Sequence, residues 1–165
     1  MLYDDNVINT IKDLLTARKQ TISVAESVTA GHLQAALSSA VEASQFFQGG
    51  ITAYNLGQKC RHLHIDPILA EQNDCVARDV AQTMALSVAD LFTCHYSIAI
   101  TGYATKMPEK GLNDLFAYYA ISFNNKIIVC EKITTNKERV DAQVDYTRQV
   151  LRNLVTLLKD DDSYS

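Results

Sequence analysis

The four cysteines, Cys60, Cys75, Cys94 and Cys130, include no C-x-x-C pair. That removes the commonest zinc-ribbon and thioredoxin-like patterns. The opening Met1-Leu2-Tyr3-Asp4-Asp5 is acidic and lacks the apolar stretch of a secretory leader. Free, buried thiols in a reducing cytoplasm are therefore expected. No apolar run approaches the ~20 residues of a membrane-spanning helix, so no membrane partner is expected. The chain also lacks a basic excess: its formal charge is -4, which disfavours nucleic acid and anionic lipid as bulk partners. Repeats, low-complexity segments and interior linkers are missing too.

What is present fits one folded domain. The 165 residues are 47% hydrophobic and 21% charged, enough to bury a core without staples. A single domain over 1–159 is expected, followed by a disordered acidic tail over 160–165. Val7, Ile8, Ile11, Leu14 and Leu15 recur at helical spacing behind Asp4 or Asp5 and predict a helix ending near Arg18. Thr21 to Ala25 reads as a short buried strand, and His32 to Ala40 as a helix entered at Gly31. Phe46 and Phe47 are expected to anchor a loop. Gly49-Gly50 would break the chain before a strand over Ile51 to Tyr54. Short helices follow at Leu56 to Leu63 and after Pro67, then a longer one over Arg78 to Phe92. Tyr96 to Thr101 is a second buried strand. Leu115 to Phe123 and Lys126 to Thr134 predict a hairpin turning at Asn124-Asn125. A last long helix carries Val140, Val144, Thr147, Leu151, Leu154 and Leu158 on one stripe. Helices and strands that alternate and then give way to a hairpin predict an α/β fold, a three-layer α/β/α sandwich with a mixed, mostly parallel sheet.

The stretch Ser23 to Gly31, SVAESVTAG, is the most suggestive. An apolar strand ends there in Glu26, Ser27 and Thr29, just before a helix. A hydroxyl in that position suits a nucleophile or an anion site, and it equally suits an ordinary capped turn. Serine needs a base, and no histidine stands in a triad pattern with Ser27. A lysine serves if burial lowers its pKa from about 10.4. Lys59 is the candidate, with Tyr54 five residues earlier at a strand end. Thr101 and Gly102 close the second buried strand, and ligands gather at the C-terminal ends of parallel strands. Alternatively, each polar residue merely caps a strand. Cys60, His62 and His64 form C-x-H-x-H, but residues two apart on a helix face different sides, so no metal site is expected.

Three blocks together resemble the CinA-type domain, the C-terminal domain of competence/damage-inducible protein CinA. Ala25 to Leu33, AESVTAGHL, is similar to that family's AESCTGG motif. Gly49 to Lys59, GGITAYNLGQK, resembles its GG-x-x-x-Y-S-N-x-x-K segment. Ala99 to Ala104, AITGYA, is similar to the start of its TGIAGP loop. The resemblance covers about Asp5 to Leu158. It implies an amidohydrolase like the stand-alone members, which hydrolyse the carboxamide of nicotinamide mononucleotide (NMN) to nicotinate mononucleotide and ammonia without metal or organic cofactor. It further implies Ser27 as nucleophile, Lys59 as base and Tyr54 as an aid to proton transfer. Glu26, Thr29, Ala30, Gly31, Thr101 and Gly102 would hold the substrate, with backbone N–H groups near Thr29 to Gly31 as the oxyanion cradle. Arg139 would grip a phosphate.

The sequence departs from the family pattern at Val28, at Ala30 where the family has glycine, and over Gly102 to Asp114. There GYATKMPEKGLND replaces a glycine-rich loop of the kind that cradles phosphate. A catalytically silent paralogue that binds a nucleotide or a protein therefore stands as the alternative. The resemblance implies a small-molecule, NMN-like nucleotide as partner. Homodimers are common in general, and one is compatible with this chain.

Overall fold

The computed structural model describes residues 2–160. The expected disordered tail lies outside them except for Asp160, which ends the last helix. The helices are α1 (Asp5–Arg18), α2 (His32–Ser38), α3 (Leu56–Leu63), α4 (Pro67–Gln72), α5 (Arg78–Phe92) and α6 (Arg139–Asp160). The strands are β1 (Ile22–Glu26), β2 (Phe47–Thr52), β3 (Tyr96–Gly102), β4 (Leu115–Phe123) and β5 (Lys126–Thr135). They form one sheet in the order β2-β1-β3-β4-β5. β1 runs parallel to both β2 and β3, whereas β4 is antiparallel to β3 and to β5.

Helices cover both faces of the sheet, because its central strands are apolar on both. Ile22 and Val24 of β1, with Ile98 and Ile100 of β3, join the core formed by α1, α2 and α6. The alternate residues, Ala25 and Ala99, join the core formed by α3, α4 and α5. That second face is built from small side chains. Ser23 donates to the Val88 carbonyl at 3.3 Å and Ser97 to the Ala85 carbonyl at 2.7 Å. With Ala81, Ala85 and Ala89 opposite, α5 lies close against the sheet, and the buried hydroxyls are satisfied by its own backbone.

Local chemistry explains most of the boundaries. Asp4 caps α1 by accepting from the N–H groups of Asn6 and Val7. Asn55 caps α3, and Asp66 caps α4 with Pro67 at its first position. Asn124 and Asn125 both take positive φ, 49° and 65°, as a two-residue hairpin turn requires.

The glycine pair behaves differently from expectation. Phe46 is fully buried, but Phe47 already belongs to β2, and Gly49-Gly50 lies inside that strand instead of breaking the chain. Between Ile22 and Ser23 the register against β2 jumps from Phe47 to Gly49. This is a bulge, and Gly49 absorbs it at φ 124°. Gly50 is needed for space: a Cβ there would lie 2.6 Å from the Val24 carbonyl oxygen. β2 then ends at Thr52, so Tyr54 belongs to the connection that follows. Gly50→Ala is expected to cost about 1–3 kcal/mol, measured as a fall in unfolding midpoint in urea; an unchanged midpoint would show that β2 can move away from β1.

A candidate active-site cleft at the ends of the parallel strands

β1, β2 and β3 point the same way, so their C-terminal ends meet on one side of the sheet. The chain leaves β1 toward α2 on one face and leaves β2 toward α3–α5 on the other. The end of β1 is therefore a switch point, where a crevice forms between diverging connections. Ser27 sits there, its N–H donating to the Ile100 carbonyl at 3.1 Å across the β1–β3 seam.

A cleft of about 260 Å³ opens at this point. Ser27, Tyr54, Lys59, Thr101 and Gly102 line it, together with Asp74, Val76, Tyr103 and Met107. Larger hollows exist, one of about 470 Å³ between the start of α1 and α6. It collects Asp4, Asp5, Arg148 and Arg152 but no candidate nucleophile with a base. The smaller cleft is the one that brings Ser27 and Lys59 onto one wall.

The remaining expected site residues lie elsewhere. Glu26 is fully buried, and its carboxylate is consumed by the fold. One oxygen accepts from the Thr29 hydroxyl at 2.6 Å and the Leu33 N–H at 2.7 Å. The other accepts from the Gln34 N–H at 2.9 Å and side-chain amide at 3.0 Å. Four donors, two of them backbone groups of the first turn of α2, make Glu26 a buried cap for that helix. Its assignment to substrate is corrected on that ground, and the Thr29 hydroxyl is likewise committed. Ala30 takes φ 49° and Gly31 φ 105°; neither lines the cleft. Ala30 thus holds a left-handed conformation that a methyl group makes costly. Arg139 projects outside the cleft. Only its backbone reaches that neighbourhood, its N–H donating to the Ala104 carbonyl at 2.6 Å.

Lys59 is 4% exposed although it sits on a short surface helix. Its Nζ donates to the Tyr54 carbonyl at 3.4 Å, so Tyr54 meets it through the backbone. The Tyr54 ring itself is exposed. Burial pushes the lysine pKa down from its ordinary value, while the nearby Cys75 and Asp74 partly oppose that shift. No hydrogen bond joins Nζ to the Ser27 hydroxyl, the Nζ donating instead to the Tyr54 carbonyl; catalytic contacts often tighten only when substrate is bound.

The sequence reading missed the turn 73–76. Asp74 and Cys75 have φ 55° and 63°, and Thr101 donates its hydroxyl to the Cys75 carbonyl at 2.6 Å. Thr101 thereby ties the cleft wall to the end of β3. The signal was Asp74, a residue type that tolerates left-handed backbone; Cys75 offers none. Of the four thiols only Cys75 is buried, so the expectation of four buried thiols is corrected. The C-x-H-x-H residues disperse: His62 pairs with Gln58, while His64 caps α3. Among the described residues no group of three or more His, Cys, Asp and Glu side chains gathers as metal ligands. No helix among them is long and apolar enough to cross a membrane.

An α/β domain with a serine and a buried lysine on one cleft, at the ends of parallel strands, is the class that fold and site define. The chain belongs to the CinA C-terminal domain family, whose model matches residues 4–158. It is 40% identical over 101 residues to a CinA-like protein of Prochlorococcus marinus, covering 61% of this chain and 24% of that protein. To a CinA-like protein of Chlorobium chlorochromatii it is 32% identical over 154 residues, 91% of this chain and 36% of that protein. The matched region thus spans about a quarter to a little over a third of these relatives. The crystal structure of competence or damage-inducible protein from Enterobacter asburiae superposes with a TM-score of 0.86 at 23% identity, covering 92% of this chain and 96% of that one. Competence damage-inducible protein A from Klebsiella pneumoniae gives 0.88 at 21%, covering 94% and 96%. These likenesses establish a shared fold.

Two stability outcomes follow from the site. Glu26→Gln turns an acceptor-only group into one whose amide faces donors, and is expected to cost about 2 kcal/mol, or roughly 4–8 °C in Tm. Lys59 behaves in the opposite sense. The unfolded chain binds its proton up to about pH 10.4, and the folded chain only up to a lower pH. Stability therefore rises with pH between the two values, and below the folded value the buried ammonium is a net cost. Lys59→Met is expected to raise Tm at pH 7, by about 2–4 °C for each kcal/mol relieved. That gain should shrink as the pH approaches 10; a lower Tm at pH 7 would contradict it.

Proposed function

We propose that this chain is a serine–lysine amidohydrolase acting on a small carboxamide of the NMN type. The observation that carries the reading is a nearly buried lysine, desolvated toward its neutral form, on the same small cleft as Ser27. In this mechanism the Ser27 oxygen attacks the carboxamide carbon while Lys59 Nζ takes the hydroxyl proton. Lys59 then passes that proton to the departing nitrogen, and ammonia leaves an acyl-serine. Water attacks the acyl carbon, again giving its proton to Lys59, which returns it to the Ser27 oxygen as the acid product leaves. Switch-point backbone at the end of β1 is the natural source of oxyanion donors. The Ala30 N–H is already bonded to the Ser27 carbonyl at 3.0 Å, and Gly31 stands outside the cleft lining, so the expected cradle over Thr29 to Gly31 is not the source. Thr101 supports the wall through the turn 73–76.

A silent, ligand-binding paralogue is the second reading. It is favoured by the missing hydrogen bond between Ser27 and Lys59 and by the rim over 103–107, which contains no glycine.

Ammonia release from NMN separates the two. The native chain is expected to turn over, and Ser27→Ala to lose about 10³-fold or more in kcat. No release by the native chain at micromolar enzyme would sink the substrate claim; equal release by both would sink the nucleophile. The acid limb of kcat/KM reports the base of the free enzyme. Activity is therefore expected to fall with decreasing pH through a value below the ordinary lysine pKa of about 10.4.

A further inference from the structure

The wall of the cleft holds an aromatic ring that the serine–lysine chemistry does not use. Tyr103 follows Thr101-Gly102, where the family's TGIAGP loop carries isoleucine, and it lines the cleft with Ser27 and Lys59. Both its backbone and its ring are held. Its N–H donates to the Phe116 carbonyl at 3.0 Å, and its own carbonyl accepts from the Tyr146 hydroxyl at 2.8 Å. The half-buried ring meets Phe116 edge to face, with centroids 5.4 Å apart. Its hydroxyl bonds to Asp74, and burial first, then the Asp74 charge, raises the hydroxyl pKa. Tyr103 is therefore a neutral phenol with a fixed position, whereas Tyr54, the cleft's other ring, is 64% exposed.

Tyr103 ends a series of rings that take cations. Phe116 in turn meets Tyr118 edge to face at 5.8 Å. Each of those two rings already carries a positive group. Lys132 Nζ lies 4.3 Å from the Phe116 centroid, and the Arg78 guanidinium lies 5.3 Å from the Tyr118 centroid. Among the described residues no cation lies over Tyr103, the member of the series that faces the cleft. An edge-to-face contact uses the edge of a ring or one of its faces, so Phe116 leaves at least one face of Tyr103 uncovered. A phenol bonded to a carboxylate is polarised toward more negative charge on its ring, which strengthens the attraction of that face for a cation. The cleft, at about 260 Å³, lies below the roughly 300–1,000 Å³ of ordinary small-molecule sites. It suits one aromatic ring with its carboxamide and leaves the rest of a mononucleotide at the mouth.

We infer that Tyr103 is a specificity-determining residue of this cleft, offering its ring to the positively charged pyridinium of an NMN-type amide and so selecting cationic over neutral aromatic carboxamides. The inference rests on the serine–lysine reading and adds the contact that selects the reacting ring. A pyridinium against a tyrosine face gains cation–π attraction, more so where water is excluded. A neutral ring of the same shape keeps the stacking and loses that attraction. Because Tyr103 is already fixed, little side-chain freedom is lost when it takes up the ligand.

The test compares NMN with benzamide mononucleotide, which has the same phosphate and shape but an uncharged ring. The ratio of their kcat/KM values, followed from variant to variant, cancels the intrinsic reactivities of the two amides. Tyr103→Leu is expected to lower that ratio about fivefold, mainly through KM for NMN. Tyr103→Phe is expected to keep it within about twofold of the native value. A difluorinated phenylalanine introduced at position 103 keeps the shape of the ring, and with it the fold, but weakens the negative face; the ratio is expected to fall below that of Tyr103→Phe. A ratio left unchanged by Tyr103→Leu, or by the fluorination, overturns the inference. Calorimetric binding of both compounds to Ser27→Ala, with and without Tyr103→Leu, separates this inference from the hydrolase reading. Selective binding of NMN that Tyr103→Leu abolishes, without ammonia from either amide, would keep the selectivity and end the hydrolase reading. Ser27-dependent ammonia release whose ratio Tyr103→Leu leaves unchanged would do the reverse. Binding of neither compound, with no turnover, overturns the inference.

Discussion

The buried carboxylate of Glu26 fixes the geometry on which this site depends. Its four hydrogen bonds stitch the end of β1 to the first turn of α2. A carboxylate at a helix N-terminus is favoured by the helix dipole and by unpaired N–H groups. Here it also has to be fully satisfied, because an unpaired buried charge would cost several kcal/mol. The intervening residues have little freedom left. Ser27 is pinned to β3 through its own N–H, so its hydroxyl emerges at the switch point between β1 and β3. The most conspicuous charged residue of the sequence motif is thus a structural clamp, and the reacting candidate is the neutral residue beside it.

Lys59 is held by the opposite logic. Among the described residues no carboxylate forms an ion pair with it; its hydrogen bond goes to a backbone carbonyl. Desolvation is therefore the leading influence on its proton affinity. A lysine kept poor in partners is unstable as a structural element and useful as a proton acceptor. The turn at 73–76 completes the enclosure, accepting backbone strain to place Asp74 in the wall.

Much of the fold was readable because each signal had a local cause. The α1 cap, Pro67 at the start of α4, the Asn124-Asn125 turn and the α5 stripe all appear where their chemistry places them. The failures have long-range causes. Gly49-Gly50 looks like punctuation, but it meets a bulge against β1, and only the paired strand reveals it. Glu26 and Thr29 look available until α2 folds over them. Arg139 looks well placed to grip an anion, yet only its backbone approaches the cleft. Ser27, Tyr54 and Lys59 were legible as a set through the family resemblance. The turn 73–76 was not, because it is anchored by the Thr101 hydroxyl on the Cys75 carbonyl, 26 positions apart.

The division of the sheet into a parallel and an antiparallel half bears on how the molecule acquires its site. β4 and β5 are joined by a two-residue turn and can pair as soon as both are free. β1 has no such neighbour: β2 and β3 are each reached by a crossover, and Thr21 meets His95 across 74 positions of chain. Loop closure over such distances is entropically slow. The half of the sheet that never touches the cleft is therefore the half able to form early, while the strand that presents Ser27 waits for contacts remote in sequence. The cleft therefore depends on the pairings that demand the longest closures, and a copy that has formed only its hairpin has no cleft wall.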